Sequence, residues 1–174
     1  MIFQIAGLPR SGTAWITAVL NLCPDIMCVH EPVDKQVPVP EESYVNTGQA
    51  GSHLILPYCA EMYADYRVYI KRDAGDAYES IASLFDISAE DYRSHMLNPA
   101  IEYEAFSDIV IDFETLFTED AVKYLWESIS SMEFQRDKAL QLLNMNIQRE
   151  SLDYDFTSSY IEQFKEYTQN KDKE

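Results

Sequence analysis

The chain has 174 residues and a mass of 20.1 kDa, nearly half of its residues hydrophobic, which suits one globular domain with its own core. With 13 Lys and Arg against 30 Asp and Glu it carries a net charge of −17 at pH 7, a field that argues against nucleic acid as a partner, since gripping a phosphate backbone rests on Lys and Arg. No apolar run approaches the roughly 20 residues of a membrane span. No basic leader precedes the first apolar run, and Cys23, Cys28 and Cys59 fit neither a metal spacing nor a disulfide framework, so a cytoplasmic protein is expected.

Ile2-Phe3-Gln4-Ile5-Ala6 reads as a buried strand. Trp15, Ile16, Val19, Leu20 and Leu22 recur at helical spacing, so a helix is expected to open at Gly12 or Thr13. Between them, Gly7-Leu8-Pro9-Arg10-Ser11-Gly12-Thr13-Ala14 has the makings of a phosphate cradle. Its glycines let the backbone turn tightly and approach a ligand, and the first-turn N–H groups point at an anion. Arg10 adds a charge, and Ser11 and Thr13 add hydroxyls. The loop departs from the motif G-x-x-x-x-G-K-[ST]: Gly7 and Gly12 keep its separation, but Thr13 follows Gly12 directly and the cation sits earlier, at Arg10.

Ile26 to Val29 is a short buried strand ending in His30-Glu31-Pro32. Ligands gather at the carboxyl ends of parallel strands, so Glu31 first and His30 second are candidates to take a proton from an acceptor hydroxyl. The plainer alternative is that Glu31 caps a turn and His30 packs at the strand end. Residues 33–52, with Pro38, Pro40, Gly48 and Gly51, are expected to form a long functional loop, with Lys35, Thr47, Ser52 and His53 as candidates to line an acceptor pocket. A helix interrupted at Pro57 is expected from Ser52 to Ala64.

Tyr66 to Arg72 alternates as a strand, and a helix is expected directly after Asp73-Ala74-Gly75-Asp76. A helical insertion follows from Glu90 to Leu97, ended by Asn98-Pro99. Asp108 to Phe113 is another strand. Thr118 is placed to cap a helix whose core stripe is Ala121, Val122, Leu125, Trp126 and Ile129. Phe134 to Leu143 is expected to be helical, and residues 157–174 a C-terminal amphipathic helix with a frayed tail. Charge is unevenly spread: residues 1–72 hold five Lys/Arg against seven Asp/Glu, while residues 73–174 hold eight against 23. The candidate cradle therefore lies in the half spared from acidity.

Pro9-Arg10-Ser11-Gly12-Thr13 after a first strand resembles the 5′-phosphosulfate loop of the sulfotransferases, P-[KR]-S-G-T. Arg72, Asp73, Asp76 and Ser80 fall where that family has its 3′-phosphate pattern, R-[DN]-P-x-D-x-x-x-S, with Ala74 in place of Pro and Gly75 in place of a basic residue. Glu31 before Pro32 is similar to the second-strand element of the carbohydrate and tyrosyl-protein branches, in which a Glu is the proposed base. The resemblance spans roughly residues 1–130 and marks a short, divergent member. It implies a single P-loop NTPase-like domain over 1–174, an α/β fold built as a three-layer α/β/α sandwich around a mostly parallel sheet. It implies 3′-phosphoadenosine-5′-phosphosulfate (PAPS) as donor, 3′-phosphoadenosine-5′-phosphate as product, no metal, and a hydroxyl or amine acceptor on a small molecule or carbohydrate. Pro9, Arg10, Ser11, Gly12, Thr13 and Ala14 would hold the 5′-phosphosulfate, with Arg10 also stabilising the transferring group. Arg72 and Ser80 would hold the 3′-phosphate, and Glu31, with His30 second, would serve as base.

Two other functions fit parts of the pattern. One is a non-catalytic nucleotide-binding or interaction protein on the same fold. The other is a P-loop nucleotide kinase, against which stand the missing Lys after Gly12 and the lack of a clear Mg²⁺-holding Asp, Asp112 being the nearest. A short chain this rich in aromatics also leaves a homodimer open.

Overall fold

The structure, a computed structural model, describes residues 1–31, 45–52, 55–58 and 63–143. Five parallel strands, β1 (Ile2–Gly7), β2 (Ile26–His30), β3 (Asn46–Gly51), β4 (Tyr66–Lys71) and β5 (Ile109–Asp112), lie side by side in the order β2-β3-β1-β4-β5. Helices cover both faces. On one are α1 (Thr13–Leu20), α5 (Phe113–Leu116), α6 (Glu119–Ile129) and α7 (Arg136–Leu143); on the other are α2 (Ala74–Ala82), α3 (Ala89–Tyr92) and α4 (Asn98–Ala105). The strands alternate to match. Phe3, Ile5, Val68, Ile70 and Ile111 meet Trp15, Ile16, Leu125 and Trp126 in the larger core, while Ala6 and Tyr69 meet Ala77, Tyr92, Ala100 and Tyr103 in the smaller. This is the expected α/β architecture, with a sheet that is parallel throughout.

β3 overturns the expectation of one long loop over 33–52. Its sequence, Asn46-Thr47-Gly48-Gln49-Ala50-Gly51, lacks the apolar alternation of a half-buried strand because it runs inside the sheet, buried along its whole length. Register puts Gly48 beside Phe3, and an ideal Cβ on Gly48 would lie 2.5 Å from Phe3 Cζ and closer still to two other ring carbons. The glycine is where the ring fits. Thr47 and Ser52, expected on a pocket wall, are both buried. Lys35, His53 and the rest of that loop lie outside the described residues.

Two helix expectations also change. Of the helix expected over Ser52–Ala64, the described part is a single 3₁₀ turn, Leu56–Tyr58, and Tyr63 and Ala64 are not helical. Pro57, inside that turn, has no N–H with which to extend a ladder. The helical insertion does not stop at Asn98-Pro99: α3 runs through a π-helical turn, Arg93–Leu97, straight into α4. Pro99 sits in the first turn of α4, directly after the π-helical turn in which Asn98 N–H reaches back five residues to the Arg93 carbonyl. The expected C-terminal helix over 157–174 lies outside the described residues. Among the described residues no helix is long and apolar enough to cross a membrane.

The chain leaves β1 toward β2 on one side of the sheet and leaves β4 toward β5 on the other. The carboxyl ends of β1 and β4 are therefore the switch point at which open α/β sheets take ligands.

Candidate functional site

The loop between β1 and α1 stands at that switch point. Leu8 anchors it in the smaller core, and Ser11 N–H donates to the Leu8 carbonyl at 3.1 Å. Arg10 and Gly12 both take left-handed backbone angles, with φ of 67° and 77°. The two flanking glycines serve different needs. A Cβ on Gly7 would meet Ser11 Cβ at 3.0 Å and the Ile70 carbonyl at 3.1 Å, so Gly7 permits close approach. Gly12 permits the positive φ, and it backs onto Leu116 and Phe117 at the end of α5.

Gly12 is also the N-cap of α1, so that helix starts with no capping side chain and no acidic residue in its first turn. The contrast lies within the same molecule. At α2, Asp73 accepts from the N–H groups of Gly75 and Asp76, and at α6 Thr118 accepts from that of Ala121. The leading N–H groups of α1 are left for something else.

Two arginines stand beside them. Arg72, just beyond β4, donates from Nη1 to the Arg10 carbonyl at 2.6 Å, and its Cζ lies 4.7 Å from the ring centroid of Phe113. Burial first, and the Arg72 charge second, hold the Arg10 guanidinium below its ordinary range. Among the described residues Arg10 Nε and Ser11 Oγ are buried without a hydrogen-bond partner, and Ser11 is wholly inaccessible. Lys71, Lys123 and Arg136 each take a carboxylate, whereas among the described residues neither Arg10 nor Arg72 does. Asp73, which sequence proximity offers as a partner for Arg72, is spent on the α2 cap instead. The Arg72 charge also reaches Tyr92, whose hydroxyl burial pushes up to about 12.

On the other side of the loop, His30 Nε2 lies 3.1 Å from Thr13 Oγ1, tying the end of β2 to the first turn of α1. Glu31 continues the ladder with its N–H on the Ala50 carbonyl at 2.8 Å and takes a positive φ of 43°. Its carboxylate lies across Gly51, where a Cβ would come within 2.5 Å of Oε2. There Oε1 accepts from Ser52 N–H at 2.6 Å and from Ser52 Oγ at 2.9 Å. Gly51 pairs with Ala6 in register, so the carboxylate crosses half the distance from β2 to the strand that carries the loop.

Arg10, Ser11, Gly12, Thr13, His30 and Arg72 thus share one end of the sheet, with Pro9 buried beneath and Ala14 half-buried on α1. Ser80 is half-buried further along α2, and among the described residues its hydroxyl shares no hydrogen bond with Arg72. Sequence reasoning named Ser52 as a pocket-lining candidate but missed that Ser52 and Gly51 seat Glu31, because β3 itself carries no strand pattern. It missed Phe113 as the platform for Arg72; the signal was there, an aromatic directly after the strand that pairs with β4. Compared with known proteins, the chain matches no family model and no curated protein.

Proposed function

We propose that the protein is a sulfotransferase that moves a sulfuryl group from PAPS to a hydroxyl or amine acceptor. The observation that carries the reading is the start of α1, which no side chain caps, with Arg10 and Arg72 beside it. Those donors suit the terminal oxyanion of a phosphosulfate. When bound, the donor supplies a sulfuryl group whose bond to the phosphate oxygen breaks as a bond to the acceptor oxygen forms. Arg10 and the α1 N–H groups take up the charge that grows on the released phosphate oxygen. Glu31 takes the acceptor proton from the neighbouring strand end, and His30 holds Thr13 in place. The 3′-phosphate falls to the β4–α2 junction, with Arg72 and Ser80 as the residues the resemblance assigns to it.

The seating of Glu31 favours a second reading. A carboxylate that accepts two hydrogen bonds is a weaker base than a free one, which suits a nucleotide-binding protein without transferase activity. Calorimetric titration with 3′-phosphoadenosine-5′-phosphate, against AMP and Mg-ATP, tests the donor site. Metal-free binding strengthened by the 3′-phosphate supports it, and preference for Mg-ATP rejects it. Turnover of PAPS that disappears in Glu31→Gln at unchanged nucleotide affinity marks the transferase; binding without turnover in the native chain marks the second reading.

A further inference from the structure

The position of Arg72 does not match the place the resemblance gives it. Its fork is turned onto the Arg10 carbonyl and laid over Phe113, on the ring's α1–α5 side of the sheet, whereas Ser80 stands on α2, whose buried Ala77 packs on the opposite face. Two like charges near each other, with no carboxylate on either among the described residues, are an unfavourable pair by themselves. They are the more unexpected in a chain with 30 acidic residues, where other cations find carboxylates.

We propose that Arg72 closes the anion cradle jointly with Arg10: both guanidinium groups grip one tetrahedral oxyanion, the group at the nucleotide's 5′ end, and the 3′ end is read without Arg72. The inference rests on the nucleotide-donor reading but relocates one of its residues. Its chemistry is that of a phosphate or sulfuryl group carrying up to two negative charges. Such a group neutralises the pair, and a fork pre-oriented by an aromatic face suits it better than an ammonium would.

Three ligands separate the possibilities by calorimetry: AMP, adenosine 3′-monophosphate, and 3′-phosphoadenosine-5′-phosphate, with inorganic pyrophosphate as a probe of the cradle alone. Arg72→Ala is expected to weaken AMP, pyrophosphate and the bisphosphate by the same factor, roughly 10- to 100-fold for a lost charge-assisted contact. Affinity for adenosine 3′-monophosphate should stay as it was. Arg72→Lys, which keeps the charge and loses the fork, should recover only part of the loss, and it gives the answer if the alanine variant does not fold.

A loss confined to the two 3′-phosphorylated ligands would overturn the proposal and leave the donor reading intact. Pyrophosphate and AMP binding that depends on Arg72, with no gain from a 3′-phosphate, would support the proposal while rejecting PAPS as donor. Failure of the native chain to bind any of the four would overturn both.

Discussion

Gly48 and Gly51 stand three residues apart on one buried strand, and the same substitution at each should have unequal consequences. A Cβ at Gly48 would sit 2.5 Å from Phe3 Cζ, at least about 1 Å inside the usual carbon–carbon separation. Phe3 is fully buried, so its ring has no space to withdraw into and β1 and β3 must part. Overpacking of this kind costs about 1–3 kcal/mol and sometimes more, against roughly 0.5–1 kcal/mol returned by replacing glycine in a strand. Gly48→Ala is expected to lose about 2 kcal/mol.

At Gly51 the obstacle is the Glu31 carboxylate, the free end of a flexible side chain. It swings off Ser52 into water, giving up two hydrogen bonds and regaining hydration, so the net change should stay within about 1 kcal/mol. Urea unfolding reads the difference. With a slope of about 2 kcal/mol/M, Gly48→Ala should lower the midpoint by about 1 M and Gly51→Ala by under about 0.5 M. In Gly51→Ala the Ser52 amide proton should shift as its short bond to Oε1 is lost, and any transfer activity should fall as it does in Glu31→Gln. Equal midpoints for the two variants, or an unmoved Ser52 amide, would refute the packing assigned to β3.

Burial pushes the Cys28 thiol up to about 12 and the Tyr69 and Tyr92 hydroxyls up to about 12. Raised acid groups keep protons that the unfolded chain sheds, so stability should hold below about pH 9 and fall as pH rises further, and Cys28→Ser should flatten the first part of that fall. Stability that increases above pH 9 would contradict the sign. Thr118→Ala removes the cap that accepts from Ala121 N–H and should cost about 1 kcal/mol, seen as a lower urea midpoint at unchanged slope. The association rate of an adenosine bisphosphate should rise, not fall, between roughly 10 mM and 150 mM salt, as the Debye length shrinks from about 30 to about 8 Å and screens the −17 field before the local cradle. Stopped-flow measurement decides it.

Elements with a pattern of their own were legible in the sequence. The β1 strand, the turn into α1, the stripe of α6 and the Thr118 cap needed only periodicity and capping chemistry. β3 was not legible, because Gly48 and Gly51 answer to Phe3 and Glu31, residues 45 and 20 positions away, and a strand shaped by its neighbours carries no signal of its own. The run through Pro99 was misread for a local reason: a proline ends a helix in its interior but opens one in its first turn, and the π turn before it moves that boundary. At the site, the loop residues were readable as a motif, but the partner of Arg72 was not. Proximity offered Asp73 and Asp76, and the fold used Asp73 to cap α2.

The two ends of the sheet differ in how completely they are satisfied. At the amino end, Asp25 accepts from Ser130 Oγ at 2.7 Å, from Cys23 Sγ at 2.8 Å and from Asn46 Nδ2 at 3.2 Å, and Ser130 Oγ in turn accepts from Met132 N–H. That network joins the α1–β2 turn, the start of β3 and the end of α6, and every member has a partner. At the carboxyl end the balance reverses. Arg10, Gly12 and Glu31 all hold positive φ, and among the described residues Arg10 Nε and Ser11 Oγ have no partner and neither Arg10 nor Arg72, which reaches the Arg10 carbonyl, takes a carboxylate. Strain, unmet hydrogen bonds and like charge each oppose folding, and a bound ligand is one way in which such costs are offset. An anionic ligand would neutralise the like charge, which is why we propose the end that β1 and β4 point toward as the binding end of this sheet.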